Sequence, residues 1–377
     1  MSATARWIDS RPTSARWVLP PGREPVAWGR IEPAATDADA VTEGRPEHCE
    51  LPLFAVVPPL VNAHTHLDLS QLATPIAPGR SLPDWLPEVV RSRTADPLAA
   101  IRTGYSECRD TGTAFLADVT TVDEPLNDLD GRFAFREYLG CNPDRWDSIA
   151  ESATAFLSTH PDAGLSPHAT YSVPLPLLRR LVEAAGSQPV MMHVAEDPSE
   201  RELLRSDRGP FRTMLERLEV YRPDLFGGQT MSEVLAELLR SPRPIIAHGN
   251  DLTPAEIEQL GEHENVTVVW CPRTHAAFKH SPHPVAELRR RGIRVAIGTD
   301  SRASTPTLSM LDELRAAYHA RPDLDASDLL TMATEAGATM LGVNLRSSWV
   351  ALPLVEPDAP DWPTALFGSR KVGPPKG

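Results

Sequence analysis

The stretch Leu60-Val61-Asn62-Ala63-His64-Thr65-His66 is an apolar run that turns polar at its end. It is short for a helix, and Pro58 and Pro59 precede it. It therefore reads as a β-strand covered on both faces. Side chains alternate along a strand with period two, so His64 and His66 leave it on the same side. Seven later segments have the same form: Phe115–Thr121, Phe133–Gly140, Gly164–Ser172, Val190–Glu196, Pro244–Asn250, Thr267–Arg273 and Arg294–Ser301.

Helix signals fill the intervals. Residues 174–186 carry an apolar stripe that stops at Gly186. Ser199 with Glu202, and Thr253 with Glu256, have capping-box spacing, and Pro254 suits a first helical position. Ser327 is read as the cap of a helix ending near Gly342. Strands alternating with helices imply a parallel sheet. Eight such units make an α/β protein closed as a (β/α)₈ TIM barrel, expected over residues 58–343. Residues 1–57 stay outside this pattern. Arg16–Leu19 and Pro25–Ile31 look like short strands, and with the tail, 344–377, they are expected to build a small β-rich appendage. The interval from Asp197 to Arg243 is too long for a simple crossover and is expected to shape the mouth of a pocket.

Composition narrows the partners. The 377 residues are 41% hydrophobic and 23% charged, an ordinary globular balance. A net charge of −14 argues against nucleic acid and anionic membrane as partners. The apolar stretch Leu51–Val61 is broken by Pro52, Pro58 and Pro59 and is too short to span a bilayer. The N-terminus has no apolar stretch resembling a secretory signal. Cys49, Cys108, Cys141 and Cys271 form no C-x-x-C pair and suggest no disulfide framework. A cytoplasmic protein with a small-molecule substrate is the expectation, with a homo-oligomer left open.

The chemistry gathers at the strand ends, the face that carries the active site in such barrels. His64 and His66 end the first strand, His193 and Glu196 the fifth, His248 the sixth and Asp300 the eighth. Any one of these reads as easily as a hydrogen-bonded core histidine or a helix-cap aspartate. Four of them in barrel order read as a metal site. Asp118 and Glu137, near other strand ends, read as structural acids tying up backbone amides, with substrate binding as the alternative. Trp85 and Phe278 are read as core aromatics, with pocket walls as the alternative. Cys271 lacks an activating partner and is not read as a nucleophile.

The motifs Leu-Val-Asn-Ala-His-Thr-His-Leu-Asp-Leu-Ser (60–70), Ser-Pro-His-Ala-Thr-Tyr-Ser-Val (166–173), His-Val-Ala-Glu (193–196), Ala-His-Gly-Asn-Asp-Leu (247–252), Cys-Pro-Arg-Thr-His-Ala-Ala-Phe (271–278) and Gly-Thr-Asp-Ser-Arg-Ala-Ser (298–304) together resemble the amidohydrolase superfamily. The resemblance spans about residues 57 to 342. It is strongest to the deaminase branch that includes aminodeoxyfutalosine deaminase and the adenosylhomocysteine and methylthioadenosine deaminases. It implies that His64, His66, His193 and Asp300 bind one divalent metal, zinc first and iron or manganese as alternatives. It implies Glu196 as proton shuttle, His248 as the group that orients the attacking oxygen, and Asp300 as the base. His168 and Glu196 would contact substrate; His275, standing with Thr274 where family members often have Ser-Asn, reads equally as a substrate contact at the rim or as a hydrogen-bonded loop residue. No lysine stands at the end of the fourth strand, where binuclear relatives carry one, so a single metal is expected.

The implied reaction is hydrolytic deamination of an aminopurine-type nucleoside. Two alternatives stay open. One keeps the metal but cleaves a cyclic amide, or a chloro or alkylamino substituent on a heteroaromatic ring. The other is a non-catalytic metal- and nucleoside-binding protein. The cytidine-deaminase signature, H-x-E with P-C-x-x-C, is absent. The chain also departs from the family pattern after Gly342, where the tail Leu345–Phe367 lacks the usual glycine-containing return.

Overall fold

Each of the eight segments becomes a strand of one sheet in the computed structural model, which describes residues 4–8, 12–32, 40–44, 46–76, 79–124, 126–345 and 348–370. The strands are β1 (Leu60–Thr65), β2 (Thr113–Thr120), β3 (Arg132–Tyr138), β4 (Gly164–Pro167), β5 (Val190–Val194), β6 (Pro244–His248), β7 (Thr267–Trp270) and β8 (Arg294–Ile297). They lie side by side in chain order, and the pairings from β2 to β8 are parallel. The sheet closes on itself just past its ends. Thr65 and Asp300 form a parallel bridge, and the backbone N–H groups of Thr299 and Asp300 donate to the His64 carbonyl at 3.1 and 3.0 Å. Helices fill the connections, so the architecture is a (β/α)₈ barrel.

The strands stop earlier than the apolar pattern suggested. His66, Ser172, Glu196, Asn250, Arg273 and Ser301 all lie beyond them. The backbone turns there instead of continuing the ladder: Ala195, His248 and Asp300 adopt left-handed conformations, with φ of 53°, 70° and 56°. Such conformations are costly for residues with a side chain and persist where surrounding bonds impose them.

Contact density groups the described residues into two units. One takes those within Met1–Asn62, Ser106–Phe115 and Ser309–Gly377; the other takes those within Ala63–Tyr105 and Leu116–Leu308. The first unit contains a seven-stranded sheet in the order Arg6–Ile8, Trp349–Pro353, Leu51–Val57, Thr13–Val18, Gly29–Glu32 and Ala40–Glu43, with Val26–Ala27 beside Thr13–Val18. The strand expected over Pro25–Ile31 is split at Trp28, whose φ is 52°. Leu51–Val57 was not foreseen, because Pro52 reads as a break in a strand. The atypical tail joins this sheet antiparallel to Leu51–Val57. Ala15, Val18, Ile31, Val56 and Ala351 form its core.

Local helix signals were partly right. Leu175–Ala185 ends at Gly186 as expected, and Thr253 with Glu256 forms a capping box. Ser199 does not cap through its side chain; its hydroxyl donates to Asp197 instead. Ser327 sits inside the helix Ala326–Met332, which follows Asp325, and a separate helix, Glu335–Leu341, runs to Gly342. The long interval holds Glu200–Ser206, Pro210–Arg217 and Met231–Leu238. No described helix is long and apolar enough to cross a membrane.

The closure depends on a missing side chain. A Cβ on Gly298 would lie 2.7 Å from the His64 carbonyl oxygen and 2.8 Å from its nitrogen. Gly298→Ala therefore forces β8 off β1 and is expected to destabilise the protein by about 1–3 kcal/mol. Gly261→Ala is the control, because a Cβ there meets nothing closer than 3.8 Å. Thermal unfolding of the two variants checks this; equal midpoints would contradict the close approach.

Candidate active site

The barrel's closure brings its polar ends together. His64, His66, His193, His248 and Asp300 are all buried. Nε2 of His66 lies 3.2 Å from Nε2 of His193. Oδ1 of Asp300 lies 3.9 Å from His64 Nε2 and 3.8 Å from His66 Nε2. Ligand atoms of His64, His193 and His248 are within 4.8 Å of one another, as are those of His64, His66 and Asp300. Two nitrogen ligands about 2.0–2.1 Å from a tetrahedral cation lie roughly 3.3 Å apart. Imidazoles with one carboxylate are the donors of a borderline divalent ion such as zinc. Spacing and donor type both fit a single cation.

The electrostatics suit that ion. Burial, reinforced by neighbouring imidazoles, holds His64, His66 and His248 well below the usual histidine range, and burial takes His193 down to about 4. Neutral imidazoles keep a lone pair for a cation. Nδ1 of His193 faces the His168 carbonyl at 2.6 Å, which assigns the proton to Nδ1 and leaves Nε2 to face His66.

Glu196 stands beside the cluster, buried, with Oε1 3.5 Å from His248 Nε2. Burial, then the nearby charge of Asp300, raises its pKa well above the carboxylate range, which favours the proton-bearing form a general acid needs. Burial also raises Asp300 to about 6, against a hydrogen bond from the Ser304 hydroxyl at 3.0 Å.

The turn carrying Glu196 is held by a residue the sequence did not mark. The buried carboxylate of Glu200 accepts the backbone N–H groups of Ala195, Glu196 and Asp197 at 3.1, 2.6 and 2.9 Å, and the Thr170 hydroxyl at 2.6 Å. Asn250 Nδ2 donates to the Glu196 carbonyl at 3.0 Å. The only signal for Glu200 was an acidic residue at a helix start, which is common.

A cavity of about 540 Å³ opens over the cluster, with His66, His193, Glu196, His248 and Asp300 in its lining. His168 and Glu137 come next, and Leu82, Trp85, Leu86, Val89, Met214 and Leu215 provide apolar walls. Met214 and Leu215 come from the long interval expected to shape the pocket. Trp85 is both wall and core, packed edge-on against Phe278 at 5.2 Å. His168 is neutral, taken down to about 3 by burial, and its Nδ1 lies 2.6 Å from the Ser172 hydroxyl.

His275 is not brought to this cavity. It sits in the short helix Pro272–Ala277 with Nε2 2.8 Å from the Ser281 carbonyl. Asp118 is structural, accepting from the Leu67 amide at 2.9 Å and from Arg132 at 2.8 Å. Glu137, read the same way from sequence, lines the cavity.

Residues 55–346 match the model of the amidohydrolase family. The chain is 31% identical over 348 residues to the aminodeoxyfutalosine deaminase of Deinococcus radiodurans, covering 84% of this chain and 81% of that one. It is 29% identical over 371 residues to a 5-methylthioadenosine/S-adenosylhomocysteine deaminase of Nitratidesulfovibrio vulgaris, covering 87% and 76%. The solved structure of Helicobacter pylori aminofutalosine deaminase in complex with methylthio-coformycin has a TM-score of 0.74 at 18% identity, covering 90% and 91%. At that identity the likeness is one of fold.

Glu200→Ala strands three amides and a hydroxyl in a buried turn, each costing about 1–3 kcal/mol when unpaired. Glu200→Gln keeps one acceptor oxygen. Urea unfolding should rank wild type above the glutamine variant and the glutamine variant above the alanine variant. An alanine variant as stable as wild type would remove Glu200 from this role.

Proposed function

The chain belongs to the amidohydrolase family, and on that premise we propose that it hydrolyses the amino group from an aminopurine-type nucleoside, releasing ammonia. The observation that carries this reading is a buried Glu196, its Oε1 3.5 Å from His248 Nε2, beside an imidazole–carboxylate cluster at the end of a mostly apolar cavity. Deamination of such a ring needs a proton donor for the nitrogen next to the amine-bearing carbon. It also needs a base for the attacking water. Curated relatives carrying these activities in their names support the same reading.

His64, His66, His193 and Asp300 would hold one divalent cation, with zinc favoured by the donors and iron or manganese as alternatives. When bound there, the cation supplies Lewis acidity that lowers the pKa of water from about 16 to about 7. The chain's own residues do the rest. Glu196 protonates the ring nitrogen and makes the adjacent carbon electrophilic. Asp300 accepts the proton of the attacking water. His248, 3.5 Å from Glu196, donates to the oxygen that adds to the ring. A proton then passes to the amino group, ammonia leaves, and the oxo ring remains. His168 is the substrate-side neighbour of His193, with ring centroids 5.1 Å apart. His275 has no part in this scheme, because it lies outside the cavity lining.

Protein loaded with zinc, iron or manganese should release ammonia from at least one member of a panel of 6-aminopurine nucleosides. Silence across the panel with metal bound would end the deaminase reading. Glu196→Gln should keep its metal by elemental analysis and lose about 10²–10⁴-fold in kcat. Loss of metal in that variant would make Glu196 a ligand instead. Asp300→Asn should lower metal content and turnover together.

A further inference from the structure

Two buried acids stand near the ends of neighbouring strands, and the protein treats them differently. Asp118 on β2 has both oxygens occupied, by the Leu67 amide and by Arg132. Glu137 on β3 is 4% exposed, and only its Oε2 is engaged, at 3.4 Å from Arg93 Nη2. Its Oε1 has no hydrogen-bond partner among the described residues. Buried polar atoms are nearly always paired, so an open acceptor in a cavity wall points to a ligand. Arg93 accounts for Oε2 alone: its guanidinium is shared, with Nη1 on buried Asp68 at 2.5 Å and Nη2 on Glu137 at 3.4 Å.

The atom nearest to an answer is His168 Nε2, 4.0 Å from Oε1 of Glu137. That is too far for a direct hydrogen bond. Once a small turn of the carboxylate uncovers the buried Oε1, a hydroxyl oxygen about 2.8 Å from each would sit between them at an angle near 90°, donating to the carboxylate and, with the Ser172 hydroxyl donating to Nδ1 and the ring proton on Nε2, accepting from the imidazole. The other ring nitrogen of His168 is already engaged with Ser172, which fixes the ring's orientation. The pair is one residue outward from the cluster, since His168 packs against His193. Leu82, Trp85 and Leu86 add apolar wall to the same cavity. A heterocycle reacting at the cluster therefore presents its next substituent to Glu137 and His168.

We propose that Glu137 is a substrate-binding residue that accepts a hydrogen bond from a sugar hydroxyl of the nucleoside, with His168 on the other side of that hydroxyl. This rests on the nucleoside reading above and deepens it. The subsite makes the enzyme selective for a hydroxylated sugar over a deoxygenated one. Arg93, pinned by Asp68, positions the Glu137 carboxylate.

The test compares a 6-aminopurine ribonucleoside with its 2′,3′-dideoxy analogue on wild type and Glu137→Gln. Wild type should favour the ribonucleoside in kcat/KM by about 10²-fold or more. Glu137→Gln should lose roughly 10- to 100-fold on the ribonucleoside, mostly in KM. It should change the dideoxy substrate less than about threefold, with metal content unchanged. Equal losses on both substrates would overturn the proposal and leave Glu137 a positioning residue. Calorimetric titration with the oxo product, inosine, and 2′,3′-dideoxyinosine reads the same gap without turnover and, on wild type, without any variant. A binding gap without ammonia release would sink the deaminase reading and keep the subsite. Ammonia release without any gap would sink the subsite alone.

Discussion

The seam where the first strand meets the last governs the molecule. The His64 carbonyl accepts from the amides of Thr299 and Asp300, and the Asp300 carbonyl in turn accepts the Thr65 hydroxyl at 2.9 Å. These bonds close the barrel with the same residues that bear the ligand side chains. Closing the sheet and assembling the cluster are thus one event. The left-handed conformations at Ala195, His248 and Asp300 belong to this arrangement, since a straight strand would carry the side chains past the centre.

Burial then decides the charge of what has been assembled. It pushes the imidazoles toward their neutral form and Glu196 toward its protonated form, and Arg93, in the cavity lining, is paired with carboxylates. Beyond the cluster the chamber is largely greasy. That favours an uncharged planar ring over an ionic ligand, because transferring a charge into such surroundings is expensive unless it is paired. It also strengthens each remaining polar contact, since few waters compete for it.

The parts of the fold that could be read from sequence are those with a repeating physical cause. Eight apolar runs with polar ends follow from burial on both faces, and residues such as His64, His193, His248 and Asp300 stand out because polarity at the end of such a run is unusual. Strand ends were overrun, as at Glu196 and Ser301, because the apolar pattern does not record where a backbone turns. Glu200 was not legible as a working residue, and Glu137 could not be told from Asp118. Their importance lies in which atoms face them in space, and an acidic residue near a strand or helix end has many mundane explanations. His275 shows the converse: a histidine after a barrel strand can be turned away by a short helix. Leu51–Val57 was missed because Pro52 masks a strand whose remaining residues pair normally.

Every side chain of the cluster, and every residue lining its cavity, falls within Ala63–Tyr105 or Leu116–Leu308. The unit that contains the unusual tail contributes none of them. A substitution in the tail therefore replaces none of the groups that line the cavity. For the engineer the same partition is useful: libraries aimed at yield or solubility can be confined to the appended sheet, where they leave the reaction vessel's lining as it is.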